Sequence, residues 1–127
     1  MFNKIYKGSS YSRPQLAELW GYASFHAIAR GVITPKNMNE IILFVTEEKQ
    51  SFQAQYQDRL CEGVLFWEGP TDHFAEQRMI DAATSGDEIH LFHRERHHSD
   101  FTYFGLLALT SYQLHTVKPS SFVFQII

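Results

Sequence analysis

Residues 40–46 read Glu-Ile-Ile-Leu-Phe-Val-Thr, apolar on every inner position. That leaves little choice of architecture. Such a run, β-branched and aromatic on both phases, belongs to a strand covered on both faces. Further runs of the same kind follow at 63–69, 88–94, 101–109, 112–115 and 121–126. In the last, Phe122, Phe124 and Ile126 alternate with Val123, Gln125 and Ile127, the period of an extended chain. Turn residues divide the runs: 35–39 carries Pro and Asn, Gly69-Pro70 closes one strand, and Ser85-Gly86-Asp87 precedes another.

Helical spacing is confined to two places. Ser12 is an N-cap candidate and Pro14 suits a first turn, where its missing N–H costs nothing. Leu16, Leu19 and Trp20 recur at helical intervals and Gly21 follows, which predicts a helix over 13–20. Over 74–83, Phe74, Met79 and Ile80 share a side and Asp72 stands as a cap, predicting a second helix. Residues 24–31 read either as another helical turn or as the lead into a strand at Val32-Ile33. Residues 52–60 read as irregular or partly extended. The order predicts an α+β fold: a small, curved, mostly antiparallel β-barrel with flanking helices.

The chain of 127 residues shows no internal repeat, no low-complexity stretch and no linker, so one domain over 1–127 is expected. A chain of this length buries roughly two thirds of its unfolded surface. Aromatic residues make up 15% of it, so the core is built from rings, with some to spare for a pocket. A formal net charge of −3 argues against non-specific coating of nucleic acid. The single cysteine, Cys61, cannot form an internal disulfide, which favours a reducing compartment. With no apolar stretch at the N-terminus and none of membrane length, the expectation is a soluble, cytoplasmic protein without a membrane partner.

Catalytic and cofactor signatures are sparse. There is no Gly-x-Ser-x-Gly elbow, no Gly-x-Gly-x-x-Gly and no P-loop. Cys61 reads as a small hydrophobe. His90, His93, His97 and His98 fall within nine positions. On a strand, however, His90 and His93 point to opposite faces, and the other two fall in a loop, so neither a metal nor another cofactor is expected. A small nuclease using His93, His97 or His98 as acid and base is an alternative reading.

Aromatic residues beside polar ones carry more. Phe66, Phe101 and Phe104 read as core, and Trp67 and Tyr103 are taken to face the other side of their strands. Their rings suit stacking on a planar ligand. Tyr56 and Asp58, in a polar segment before the second strand, join them, and Asp58 or Glu68 suits an exocyclic amine. Two stacking rings and a carboxylate are how an extruded base is held. Arg94, Arg96, His97 and His98, with Arg13 and Lys36, are candidates for phosphate.

Taken together, Tyr11-Ser12-Arg13, Ile41–Thr46, Tyr56-Gln57-Asp58, Leu65-Phe66-Trp67, Leu91-Phe92-His93-Arg94-Glu95 and Phe101-Thr102-Tyr103-Phe104-Gly105 resemble a known family. It is a domain of formerly unknown function at the C-terminus of helicase-type, modification-dependent restriction proteins. That family is similar to the SET-and-RING-associated (SRA) and pseudouridine-synthase-archaeosine-transglycosylase (PUA) folds. The resemblance runs from about Tyr11 to Ile126. It implies a curved barrel with a pocket for a base flipped from duplex DNA, and a role in sensing 5-methyl- or 5-hydroxymethylcytosine. Cleavage would then belong to a separate nuclease or helicase protein. The chain departs from the family after Trp67, where it reads Glu68-Gly69-Pro70-Thr71-Asp72-His73 in place of a longer polar stretch. Because PUA-like folds also read RNA, an RNA-binding module is the other reading the resemblance leaves open.

Overall fold

The computed structural model describes residues 1–47 and 58–127. Strand β1 (Ser10–Tyr11) leads into helix α1 (Arg13–Leu19). The Ser12 side chain accepts from the Gln15 backbone N–H at 3.1 Å, and Gln15 Oε1 accepts from the Ser12 N–H at 3.4 Å. With Pro14 in the first turn, this reciprocal cap explains why the helix starts where it does. A 3-10 turn follows at Phe25–Ile28, so the middle of the ambiguous stretch 24–31 is helical and its end leads into a strand.

The remaining elements are β2 (Val32–Ile33), β3 (Glu40–Thr46), β4 (Arg59–Cys61), β5 (Val64–Glu68), α2 (Glu76–Ser85), β6 (Glu88–Arg94), β7 (Phe101–Gln113) and β8 (Ser121–Ile126). Hydrogen bonding follows the path β2-β3-β6-β7-β8-β5-β4, with β1 added alongside β7. All pairs are antiparallel except β3 with β6. The α+β, mostly antiparallel expectation holds. Ring closure does not: among the described residues the path ends at β2 and β4, which do not pair. Both terminal strands are very short, and a cavity lies between Val32 of β2 and Trp67 and Glu68 of β5.

The sheet is covered on both faces. On one, Ile41, Leu43 and Val45 of β3 meet Leu65, Trp67, Leu91, Phe122, Phe124 and Met79 of α2 in the inner core. On the other, Ile42 and Phe44 pack with Phe92, Phe101, Leu16 and Ile28 under α1 and the 3-10 turn. That double burial explains the unbroken apolar run in β3.

Strand β7 changes phase partway. Leu91 faces Gly105 but Phe92 faces Tyr103, so Phe104 is an extra residue in the ladder. Gly105 accommodates the bulge at φ +90°, where a Cβ would stand 3.4 Å from Lys7 Cδ. The consequence is that Phe101 and Tyr103 join the outer core while Phe104 and Leu107 pack with the inner one.

Three boundaries differ from expectation. The segment expected as a separate strand at 112–115 is the end of β7, which runs on to Gln113 through a second irregularity near Thr110. The second helix begins at Glu76, two residues later than its spacing suggests. Asp72 does not cap it. Its carboxylate accepts from the Phe74 N–H and pairs with Arg30 at 2.9 Å. Finally, Arg59–Cys61 forms a hairpin with β5 through Glu62 and Gly63, both at positive φ (51° and 81°), the geometry favoured in two-residue hairpin turns.

Candidate nucleic-acid interface

The two ends of the sheet leave a cleft made of two adjoining cavities. The smaller, about 230 Å³, lies between Gly31, Val32 and Phe44 on one side and Trp67, Gly69 and Pro70 on the other. The larger, about 740 Å³, spreads over Arg59, Phe66, Ser121 and Val123 and reaches Glu47 and Glu95. Asp58, Trp67 and Glu68 line both.

Local structure sets this wall. Strand alternation in β5 turns Leu65 and Trp67 inward and leaves Phe66 38% exposed. The Arg59 guanidinium lies 5.0 Å above the Phe66 ring. Asp58 Oδ1 accepts from the Glu68 backbone N–H at 3.0 Å, tying the approach to β4 to the end of β5. Across the cleft, Glu47 Oε2 accepts from His93 Nε2 at 2.6 Å. His93 is buried, and its ring meets Phe104 edge-on, so this carboxylate is held in one orientation from behind. Arg30, at the small cavity, pairs with Asp72 and lies 4.7 Å over Phe74, which fixes the 70s loop against β2.

The structure sorts the residues expected from sequence. Asp58, Glu68 and Trp67 come together at the cleft. Trp67 is only 5% exposed and packs on Phe122 and Phe124, so it is a wall of the cavity and not an open platform. Phe66, read from sequence as core, is the exposed ring instead. Tyr103 is not at the cleft: it lies in the outer core against Phe92, with its hydroxyl 2.7 Å from His90 Nδ1. Burial, with Glu88 nearby, pushes that hydroxyl up to about 12. The sequence reading assumed one core face and one ligand face. A sheet buried on both sides has no such distinction, and Tyr103, two residues from Phe101, shares its face ahead of the bulge at Phe104. Tyr56 lies outside the described residues.

The cations separate in the same way. Arg13 donates to the carbonyls of Ile28 (3.1 Å) and Arg30 (3.3 Å) and sits between Phe44 and Phe101. Burial, and then repulsion from Arg94, bring it down to about 10. Arg94 donates to Thr46 Oγ1 (2.8 Å) and to the Ser99 carbonyl (3.0 Å) while covering Phe101. Both guanidiniums therefore hold the fold together, contrary to their expected place at phosphate. Arg96, His97 and His98 are exposed on the loop after β6, and Lys36 is exposed on the turn before β3. His90 and His93 point to opposite faces, as strand alternation requires.

Glu47, Arg59, Phe66 and Glu95 are cleft residues that sequence reasoning missed. The one legible signal was the phase of Phe66 relative to Leu65 and Trp67.

No protein-family model and no curated protein matches the sequence. Solved structures match its fold. The SUVH5 SRA complex with hemi-methylated CG DNA superposes with TM-score 0.65 at 14% identity, covering 97% of this chain and 89% of that one. The SUVH5 SRA complex with fully methylated CG DNA gives 0.64 at 14% identity, over 100% and 92%. The DNA modification-dependent restriction endonuclease AspBHI gives 0.60 at 17% identity, over 96% of this chain and 73% of that one. The chain has an SRA-like fold, as the resemblance in its sequence implied.

Proposed function

We propose that this SRA-like domain is a DNA-binding module that takes a modified cytosine, such as 5-methyl- or 5-hydroxymethylcytosine, out of a duplex and into the cleft between its sheet ends. The observation that carries the reading is an SRA-like fold over nearly the whole chain, with a cleft where the sheet fails to close. Those neighbours were crystallised with methylated DNA.

The chemistry of the cleft supports it. A flipped base needs flat apolar walls and a polar edge. Val32, Phe44 and Trp67 supply walls in the small cavity, and Asp58 and Glu68 stand beside it as acceptors for an exocyclic amine. The cost of unstacking a base is a few kcal/mol, which the enclosed contacts must offset. Arg96, His97, His98 and Lys36 meet the phosphates. With a net charge of −3, backbone attraction alone is weak, so affinity depends on the occupied cleft. In this reading the domain recognises, and a separate nuclease or helicase protein acts.

The test is a fluorescence-anisotropy panel at moderate salt. Duplexes of one sequence carry cytosine, 5-methylcytosine or 5-hydroxymethylcytosine, with a structured RNA as comparison. A modified duplex should bind most tightly, and Asp58→Asn should shrink that preference. Equal affinity across the duplexes, or preference for the RNA, would refute the proposal.

A further inference from the structure

We infer that the larger cavity is a subsite for a hydroxyl-rich, glycosyl-type substituent carried by the flipped base; this rests on the base-reading function proposed above. The cleft is divided by size and by chemistry. The small cavity of about 230 Å³, with its apolar walls, suits a pyrimidine ring. The adjoining space of about 740 Å³ lies within the range of drug-sized ligand sites, about 300–1,000 Å³. A methyl or hydroxymethyl group on the ring would leave most of it empty.

Its lining offers more than a methyl group would use. Beside the apolar Phe122 and Val123 stand Glu47, Glu68, Glu95 and Ser121. Ionised carboxylates only accept hydrogen bonds. They repel phosphate, and a cytosine edge offers a single amino group, already served by Asp58. A sugar presents a hydroxyl donor on nearly every carbon, and so matches several acceptors at once. The exposed Phe66 ring, with Arg59 stacked on it, supplies a planar, partly apolar surface for the C–H face of such a ring. Glu47 is oriented in advance by buried His93 at 2.6 Å, so little ordering remains for binding.

The experiment adds β-glucosylated 5-hydroxymethylcytosine to the duplex panel and uses the full chain. The glucosylated duplex is expected to bind about tenfold or more tightly than the 5-methyl duplex, the size of one charge-assisted hydrogen bond. Glu95→Gln and Glu47→Gln should each reduce that ratio. Glu95 is exposed, so its variant reports even if the loss of the His93 partner weakens the fold of the other. A glucosylated duplex bound no better than the 5-methyl duplex overturns this inference and leaves base reading intact. A ratio unmoved by either substitution overturns the assignment of the cavity. No preference for any modified duplex overturns both.

Discussion

Acidifying the protein from pH 7 to below pH 4 should remove about 3 kcal/mol of stability through His90. The ring is 3% exposed and stacks on Phe2 at 3.8 Å, nearly parallel. Its Nδ1 meets the Tyr103 hydroxyl, and its Nε2 has no hydrogen-bond partner among the described residues. Glu88 Oε1 is 3.4 Å from Nε2 and would favour the imidazolium, but that carboxylate is half exposed and poorly aligned. Burial prevails and brings His90 from 6.5 down to about 4. At about 1.36 kcal/mol for each pH unit, the difference between those values amounts to about 3 kcal/mol. The sign follows from proton uptake. Between pH 4 and 6.5 the unfolded chain binds a proton at this ring and the folded chain does not, so stability falls as pH falls. Above 6.5 the ring is neutral in both states and contributes no slope. His73, raised by its hydrogen bond to Glu76, acts in the opposite direction, so the contribution must be isolated by difference. Urea unfolding of wild type and His90→Gln, followed by tryptophan fluorescence at several pH values, provides it. Parallel curves of stability against pH for the two proteins would refute the reasoning.

Phe66→Ala should weaken binding of the glucosylated duplex by up to about tenfold, a ring contact being worth about 0.5–1.5 kcal/mol, and leave the 5-methyl duplex nearly unchanged. It should change unfolding free energy by less than about 1.5 kcal/mol, because the ring is exposed, and equilibrium unfolding beside the anisotropy panel separates the two. Arg96→Ala should weaken modified and unmodified duplexes alike and lower the slope of log affinity against log salt by about 1; a titration series from low to physiological salt measures it. Gly105→Ala should cost about 1–2 kcal/mol, since an L-residue is strained at that positive φ and its Cβ meets the Lys7 side chain, as a shift of the urea midpoint will show.

Strand content and helix α1 were legible because their causes are local. The Ser12–Gln15 cap, the apolar run of β3 and the alternation of β8 each act within a few residues. The start of α2 was less so: Asp72 has the chemistry of a cap, but Arg30, distant in sequence, engages it. The cleft was half legible. Asp58, Trp67 and Glu68 sit close together along the chain and meet at the cavity. Tyr103 did not join them, since it shares the face of Phe101, and that second face is covered too and turns its hydroxyl to His90.

Composition and periodicity therefore account for an α+β fold with an aromatic core and a mostly antiparallel sheet, all of which follow from short-range pattern. The membership of the cleft is another matter. Glu47 and Glu95 reach it only because β3 pairs with β6 in parallel, and Phe66 and Glu68 meet Val123 and Ser121 there only because β5 pairs with β8. Those pairings join residues far apart in the chain. Registers of that kind are set by the packing of the whole sheet, and no local stretch of sequence records them.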